Sequence, residues 1–391
     1  MMLRRLATAL LASASLTPLA AHAQALPAPA TFVPDSAGVY PWRWSFFPTF
    51  GGGTNDGPLF GVRARGFQMA EYADRIANRQ SITAVAGASV RGSFLGFLRY
   101  QAPRIGTGWR FWAQAQANRE VRFGYFGLGN NTLNDRSLAD STTPFPYRAR
   151  RTRFEVRTDL TRRLTGPLSV ALGLHAQLAR FGALEGSSAF RTEFGSTLEQ
   201  DDASARLALV ADTRDVEYDP TRGVLLEAGA QVGAGNGGYE RLYGVLRGYA
   251  PLGPKTVLAG RVAGTHLSGT PTLDARFVLP AWEQPVDLLG GQFSHRGLEF
   301  GRLAGRSALF ANAEVRQEVK NIRGALDLVV VGFVDAGRVF ETESFSLTTA
   351  DLKAAVGVGA GVKILRSSVF VLNIAKGPEG WRVSANNGWQ F

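Results

Sequence analysis

The sequence predicts an all-β protein, a sixteen-stranded antiparallel transmembrane β-barrel with long extracellular loops, and three observations carry that reading. Segments of alternating polar and apolar residues recur along the chain. Over residues 311–319, Asn312, Glu314, Arg316 and Glu318 share one face while Ala311, Ala313, Val315 and Val319 share the other, with Gln317 the exception. The composition, 46 glycines and 10% aromatics against three methionines, suits strands and tight turns better than helices. The first residues read as an export signal: Arg4 and Arg5, an apolar run over residues 6–19, and Ala21-His22-Ala23 before Gln24. That run is shorter than the roughly 18 to 20 residues of a spanning helix, and no other run is longer. An exported chain of this kind that enters a membrane must do so as a barrel.

Three segments follow: 1–23 a signal peptide, 24–43 a short Pro/Ala-rich periplasmic stretch, and 44–391 the barrel. No cysteine is present, which excludes a lipid-modified N-terminus and a disulfide framework. The formal net charge is +11, and removal of Arg4 and Arg5 leaves +9. Its basic residues are scattered through strand-like segments rather than gathered in one patch, which argues against a nucleic-acid partner.

Period-two segments bounded by Gly, Pro, Asn or charged turns place strands near 44–50, 57–67, 81–91, 93–102, 107–119, 147–160, 167–180, 203–213, 223–233, 239–250, 256–268, 307–319, 325–337, 353–364, 367–376 and 381–391. Connection lengths check the number. If strand one rises from the periplasm, odd-to-even connections are extracellular and long and even-to-odd ones short; 124–146, 181–202, 268–306 and 338–352 fall in the long set, and among the longer connections only 69–80 breaks the rule. The faces separate as well. Leu168, Val170, Leu172, Leu174 and Leu178 oppose Ser169, Gly173, His175 and Gln177, while Arg151, Arg153, Glu155, Arg157 and Asp159 oppose Phe154 and Val156. A soluble sandwich would alternate in the same way, but it would need a second apolar layer or helices to cover so many strands.

Residues 288–316, LLGGQFSHRGLEFGRLAGRSALFANAEVR, and their sequel VVVGFVDAGRV at 329–339 resemble the last third of the BamA/TamA superfamily, the bacterial surface antigen family. The resemblance implies that the sixth loop turns back into the lumen and that Arg296, followed by Gly297, pairs there with Glu314 and Asp335. His295 before the arginine and Leu298 in place of an aromatic depart from the family pattern, so an aromatic anchor for the loop tip is not expected. The turn motif Asp212, Arg214, Asp215, Pro220 and Gly223 and the segment Tyr125-Phe126-Gly127-Leu128-Gly129-Asn130-Asn131 are similar to further family elements. Pro220 fixes φ, Gly223 tolerates the bend, and Asp212 and Arg214 share a face on which they can pair. Relatives carry periplasmic POTRA domains ahead of the barrel, for which residues 24–43 leave no room.

Trp381, Val383, Ala385, Trp389 and Phe391 are expected on one face of the last strand, its terminal aromatic serving as an insertion signal. Pro48, which lacks a ladder donor, and the Asn386-Asn387-Gly388 interruption mark a weak seam between first and last strands. The Arg296 cluster is then a plain staple or, in addition, a control on that seam. Lumen arginines such as Arg153, Arg157, Arg206 and Arg261 balance lumen acids or favour anion passage.

Catalysis finds little support. His22 leaves with the signal, His175 stands on a lumen face, and His266 and His295 flank or lie in the sixth loop; there is no G-x-S-x-G, no metal spacing and no cofactor motif. By resemblance the expected role is insertion or translocation of proteins at the outer membrane, with lipid, client proteins or a separate periplasmic protein as partners. Two alternatives stand beside it: a passive pore for small, anionic solutes, and a structural surface barrel.

Overall fold

A computed structural model describes residues 40–53, 57–71, 74–322, 326–341, 350–364 and 368–391. The expected signal peptide, most of the stretch before the barrel and parts of several turns lie outside the described residues. One antiparallel sheet of sixteen strands follows chain order. Its members are β1 Arg43–Gly53, β2 Gly57–Met69, β3 Asn78–Ser89, β4 Phe94–Gly106, β5 Trp109–Gly124, β6 Arg148–Thr165, β7 Leu168–Ala183 and β8 Thr197–Asp212. There follow β9 Gly223–Gly233, β10 Tyr239–Gly253, β11 Thr256–Gly269, β12 Ser307–Ile322, β13 Leu326–Phe340, β14 Lys353–Ile364, β15 Ser368–Gly377 and β16 Gly380–Asn387. The connection expected to break the length rule shrinks, because β2 and β3 both extend into it and leave residues 70–77.

Alternation sorts the side chains into two environments. Leu172, Leu174 and Leu178 on β7, Leu207 and Leu209 on β8, and Val356 and Val358 on β14 are exposed on the outer face. Their in-between neighbours Gln177, Arg206 and Ala355 are buried on the inner one. An apolar exterior around a polar interior inverts the soluble sandwich, and only lipid makes such an exterior favourable.

The interior is filled by residues 270–306 between β11 and β12, the sixth long loop. Leu279, Trp282, Val286, Leu288, Leu289, Leu298 and Leu303 of this loop form one cluster with wall residues Val210, Leu225, Val245, Phe310 and Val339. Over the long-loop rim lies a second cluster of Phe123, Tyr125, Phe181, Phe190, Leu273 and Phe277. Phe190 comes from a short helix, α1 Ala189–Phe194, whose N-cap Ser188 Oγ accepts from Arg191 N.

The sheet is that of a sixteen-stranded barrel around its loop; among the described residues no ladder joins β1 to β16, the two ends of the strand order. Pro48 lies mid-strand opposite Val62, and β16 has only eight residues, which together leave a poor template for a continuous ladder. One expectation is corrected here, at the chain end. The last strand stops before its aromatic end. Trp381 and Val383 do face outward, 70% and 68% exposed, but Gly388 adopts φ +104° and reverses the parity, so that Trp389, Gln390 and Phe391 fold inside the short-turn rim. What draws them in is the inner face of β13 and β15. Val329, Val331, Phe333, Val369 and Val371 are apolar on the side where a polar lumen wall was expected, and Trp389 packs against them.

Candidate functional site: the clasped lumen loop

Arg296 is carried inward by the loop and is 3% exposed. Its Nη1 donates to Glu314 Oε1 at 2.5 Å, its Nη2 to Asp335 Oδ1 at 2.7 Å and its Nε to Asp335 Oδ2 at 2.9 Å. The backbone N–H of Arg296 donates to the same Asp335 Oδ2 at 2.9 Å, so one carboxylate holds both ends of the residue. Glu314 and Asp335 come from β12 and β13, adjacent strands on which Asn312 is the cross-strand partner of Asp335. The guanidinium carbon lies 3.3 Å from the Phe333 ring centroid. With each charge hydrogen-bonded, the desolvation cost of burying an ion pair is offset; stranding one partner costs on the order of 3 to 5 kcal/mol.

Gly297 explains why the arginine must be followed by the smallest residue. A Cβ there would stand 2.3 Å from Ala355 Cβ on β14 and 2.9 Å from Gly377 Cα on β15, so the loop backbone touches the wall directly. His295, the departure before the arginine, is fully buried and its Nε2 lies 3.0 Å from Lys353 O. Leu298, the departure after it, packs in the lumen cluster, where an aliphatic side chain fills the space.

Several members of the clasp carried no expectation. Asn312 is a hub: its Nδ2 donates to Asp335 Oδ1 and Ser294 O, and its Oδ1 accepts from Arg261 Nε and Nη2. Arg316 Nε donates to Glu314 Oε2 at 2.9 Å, and its Nη2 to the Phe391 carbonyl at 3.1 Å, tying the chain terminus to the clasp. Glu299 of the loop receives Arg148 of β6 and Arg382 of β16. Asn386 Nδ2 donates to Gln292 O. Beyond its ladder with β15, the last strand is therefore held by the loop. In the sequence, the N-x-E-x-R spacing already placed Asn312 and Arg316 on the lumen face; the reach of Glu299 to β16 left no local signal.

The turn motif sits across the short-turn rim. Arg214 Nε and Nη2 donate to Asp212 Oδ1 and Oδ2, both at 3.0 Å, and Nη2 reaches Glu283 of the loop at 2.7 Å. Asp215 accepts from the N–H groups of Val216 and Thr221 and closes the turn on itself. Gly223 is needed, since at φ +100° a Cβ would meet Thr213 O at 2.4 Å. Pro220 is the residue between Asp219 and Thr221. From this turn Glu217 chelates Arg110 of β5 at 2.5 and 2.8 Å, while Asp219 accepts from Trp389 Nε1 at 2.7 Å and lies 3.1 Å from Lys363 Nζ of β14.

The lumen arginines divide. Arg206 is matched, by Asp159 and by Glu227 at 3.0 Å. Among the described residues Arg261 meets no carboxylate but has Asn312, Phe293 O and the Phe391 ring. Arg153 and Arg157 share Glu155 at 3.6 and 3.4 Å with His175, whose Nε2 lies 3.7 Å from it.

A model of the Omp85 superfamily domain matches residues 64–372. The chain belongs to the Omp85 superfamily. The solved structures similar to this Omp85 barrel include BamA from Haemophilus ducreyi lacking POTRA domains 1-3, at 13% identity and TM-score 0.55 over 89% of this chain and 70% of that one. CdiB from Escherichia coli gives 10% identity and TM-score 0.55 over 88% and 61%, and CdiB from Acinetobacter baumannii 12% and 0.50 over 88% and 65%. This chain thus spans under two thirds of either CdiB. At these identities the likeness is one of fold. A search among curated proteins finds no match.

Proposed function

We propose that this Omp85 barrel sits in the outer membrane, with its short turns periplasmic and long loops outward, and assists other polypeptides to insert into or cross that membrane. The carrying observation is that, among the described residues, β1 and β16 share no ladder while the last strand is fastened to a clasped lumen loop. An unpaired strand edge offers a row of N–H and C=O groups to an incoming strand, and in lipid that pairing is strongly favoured because no water competes for it. Arg296, Glu314 and Asp335 hold the loop, and through Glu299 and Gln292 the loop holds β16. Pro48 lowers the pairing competence of β1. Trp389 and Phe391, turned inward, fasten the tail where an outward insertion signal was expected. No catalytic step belongs to this reading. Membership of the family and the resemblance of the fold to BamA and CdiB support it, with client proteins and a separate periplasmic protein as partners.

The test is insertion of an unfolded small barrel client into liposomes holding the purified protein, with photocrosslinkers at Phe46 on β1 and Val383 on β16. Faster client insertion than in protein-free liposomes, with crosslinks at both positions, is expected. Insertion no faster than lipid alone, with and without added periplasmic extract, rejects the assignment.

A further inference from the structure

Loop and wall do not meet everywhere. Between the loop and strands β2–β6 lie two spaces, one of about 400 Å³ reaching towards the long-loop rim at Phe123 and Phe300, and one of about 230 Å³ reaching the short-turn rim at Ile76 and Tyr218. They share Gln101, Trp112 and Glu283 as a common boundary.

The cross-strand register sets one row of inner-face residues perpendicular to the strands along this wall: Arg65 opposite Thr83, Thr83 opposite Arg99, Arg99 opposite Gln114, Gln114 opposite Arg157 and Arg157 opposite His175. That row holds three guanidinium groups and no carboxylate. Most other charges along the two spaces are already matched. Arg151 is bound by Glu120 and Asp274, Arg110 by Glu217, Asp159 by Arg206, and Glu283 by Arg214 and Arg247. What remains is Arg65, Arg99, Arg153 and Arg157 against Glu155 and Asp287. Among the described residues, Nε of Arg65 and Nε of Arg157 are buried without any acceptor. A buried charged N–H without an acceptor is costly, and water or an anion in the adjacent space removes that cost.

We propose that the two spaces form a water-filled path past the loop for small inorganic anions, with Arg65, Arg99 and Arg157 as its selecting row. Cationic rings lining a narrow pore favour anions, and the low-dielectric wall strengthens their field. The path is independent of the terminal edges, so it stands or falls apart from any role in protein insertion. The experiment is the reversal potential of the purified protein in planar bilayers under a potassium chloride gradient. Wild type is expected to prefer chloride, and Arg99→Gln combined with Arg157→Gln to lower the chloride-to-potassium permeability ratio by about two- to fivefold. Heat-modifiable gel migration, unchanged in the variant, checks that the barrel still folds. A non-conducting or potassium-preferring wild type overturns the proposal, as does a folded, conducting variant with an unaltered ratio.

Discussion

The two halves of the inner wall treat the loop in opposite ways. From β8 to β15 the inward arginines near the loop are bonded to it or to acids of the wall, Arg206, Arg247 and Arg316 through carboxylates and Arg241 and Arg261 through carbonyl oxygens. The apolar remainder packs against Leu279, Leu289 and Leu303. From β1 to β4 the wall stands away, while β5 and β6 still reach the loop through Arg110 over Trp282, Arg148 on Glu299 and Arg151 on Asp274. Phe47, on the inner side of β1, is 59% exposed, and Arg65 and Arg99 meet no carboxylate among the described residues. The same alternating pattern builds both halves, so alternation alone does not decide whether a wall clasps or leaves space. That depends on whether the long loop carries complementary charges to that side: Arg296 and Glu283 turn to the later strands and Asp274 and Glu299 to β6, and none of these four turns to β1–β4.

The contrast can be broken most severely at Asp335. Replacing it by Ala removes the acceptor for the Arg296 side chain, the Arg296 N–H and Asn312, and should lower stability by about 3 to 5 kcal/mol, read as a lower temperature for loss of the heat-modifiable gel band. Arg296→Ala should in addition raise single-channel conductance, since the loop loses its anchor; an unchanged conductance would show that the clasp is not what keeps the lumen filled. Next comes Gly297→Val. The added atoms collide with Ala355 and Gly377, and a loss of about 1 to 3 kcal/mol is expected in thermal unfolding. Trp389→Phe keeps the packing on Val331 and Val371 but removes the bond to Asp219, at about 1 kcal/mol, measurable in the same melt. At the other extreme, Arg99→Gln on the spacious side should shift stability by under about 0.5 kcal/mol. A large loss there would mean that this arginine, too, is a structural clasp.

Much of this arrangement was legible in the sequence. Period-two alternation located all sixteen strands, because every strand divides lipid from lumen and must alternate to do so. The resemblance of the R-G, N-x-E-x-R and FVDAG segments to the BamA/TamA superfamily implied that Arg296 meets Glu314 and Asp335, which the structure brings together, and the shared face of Asp212 and Arg214 allowed the pair they form. The chain end was misread for a definable reason. Parity was extended through Gly388, yet a glycine at positive φ resets it, and the run Val329-Val330-Val331 announces an inner face in need of cover that the alternation rule did not weigh. Glu299 and Glu283 went unnoticed because their partners lie far away in sequence, on β6, β10 and β16 and in the turn after β8.

The turn between β8 and β9 works as a tie-bar. Through Glu217 it grips β5, and through Asp219 it grips β14 and the chain terminus, so a single short segment braces opposite sides of the same opening. A brace of that kind fixes the bore at one end. Any widening of the cylinder must therefore start from the far rim and spread like a splayed basket, with the braced end the last to give.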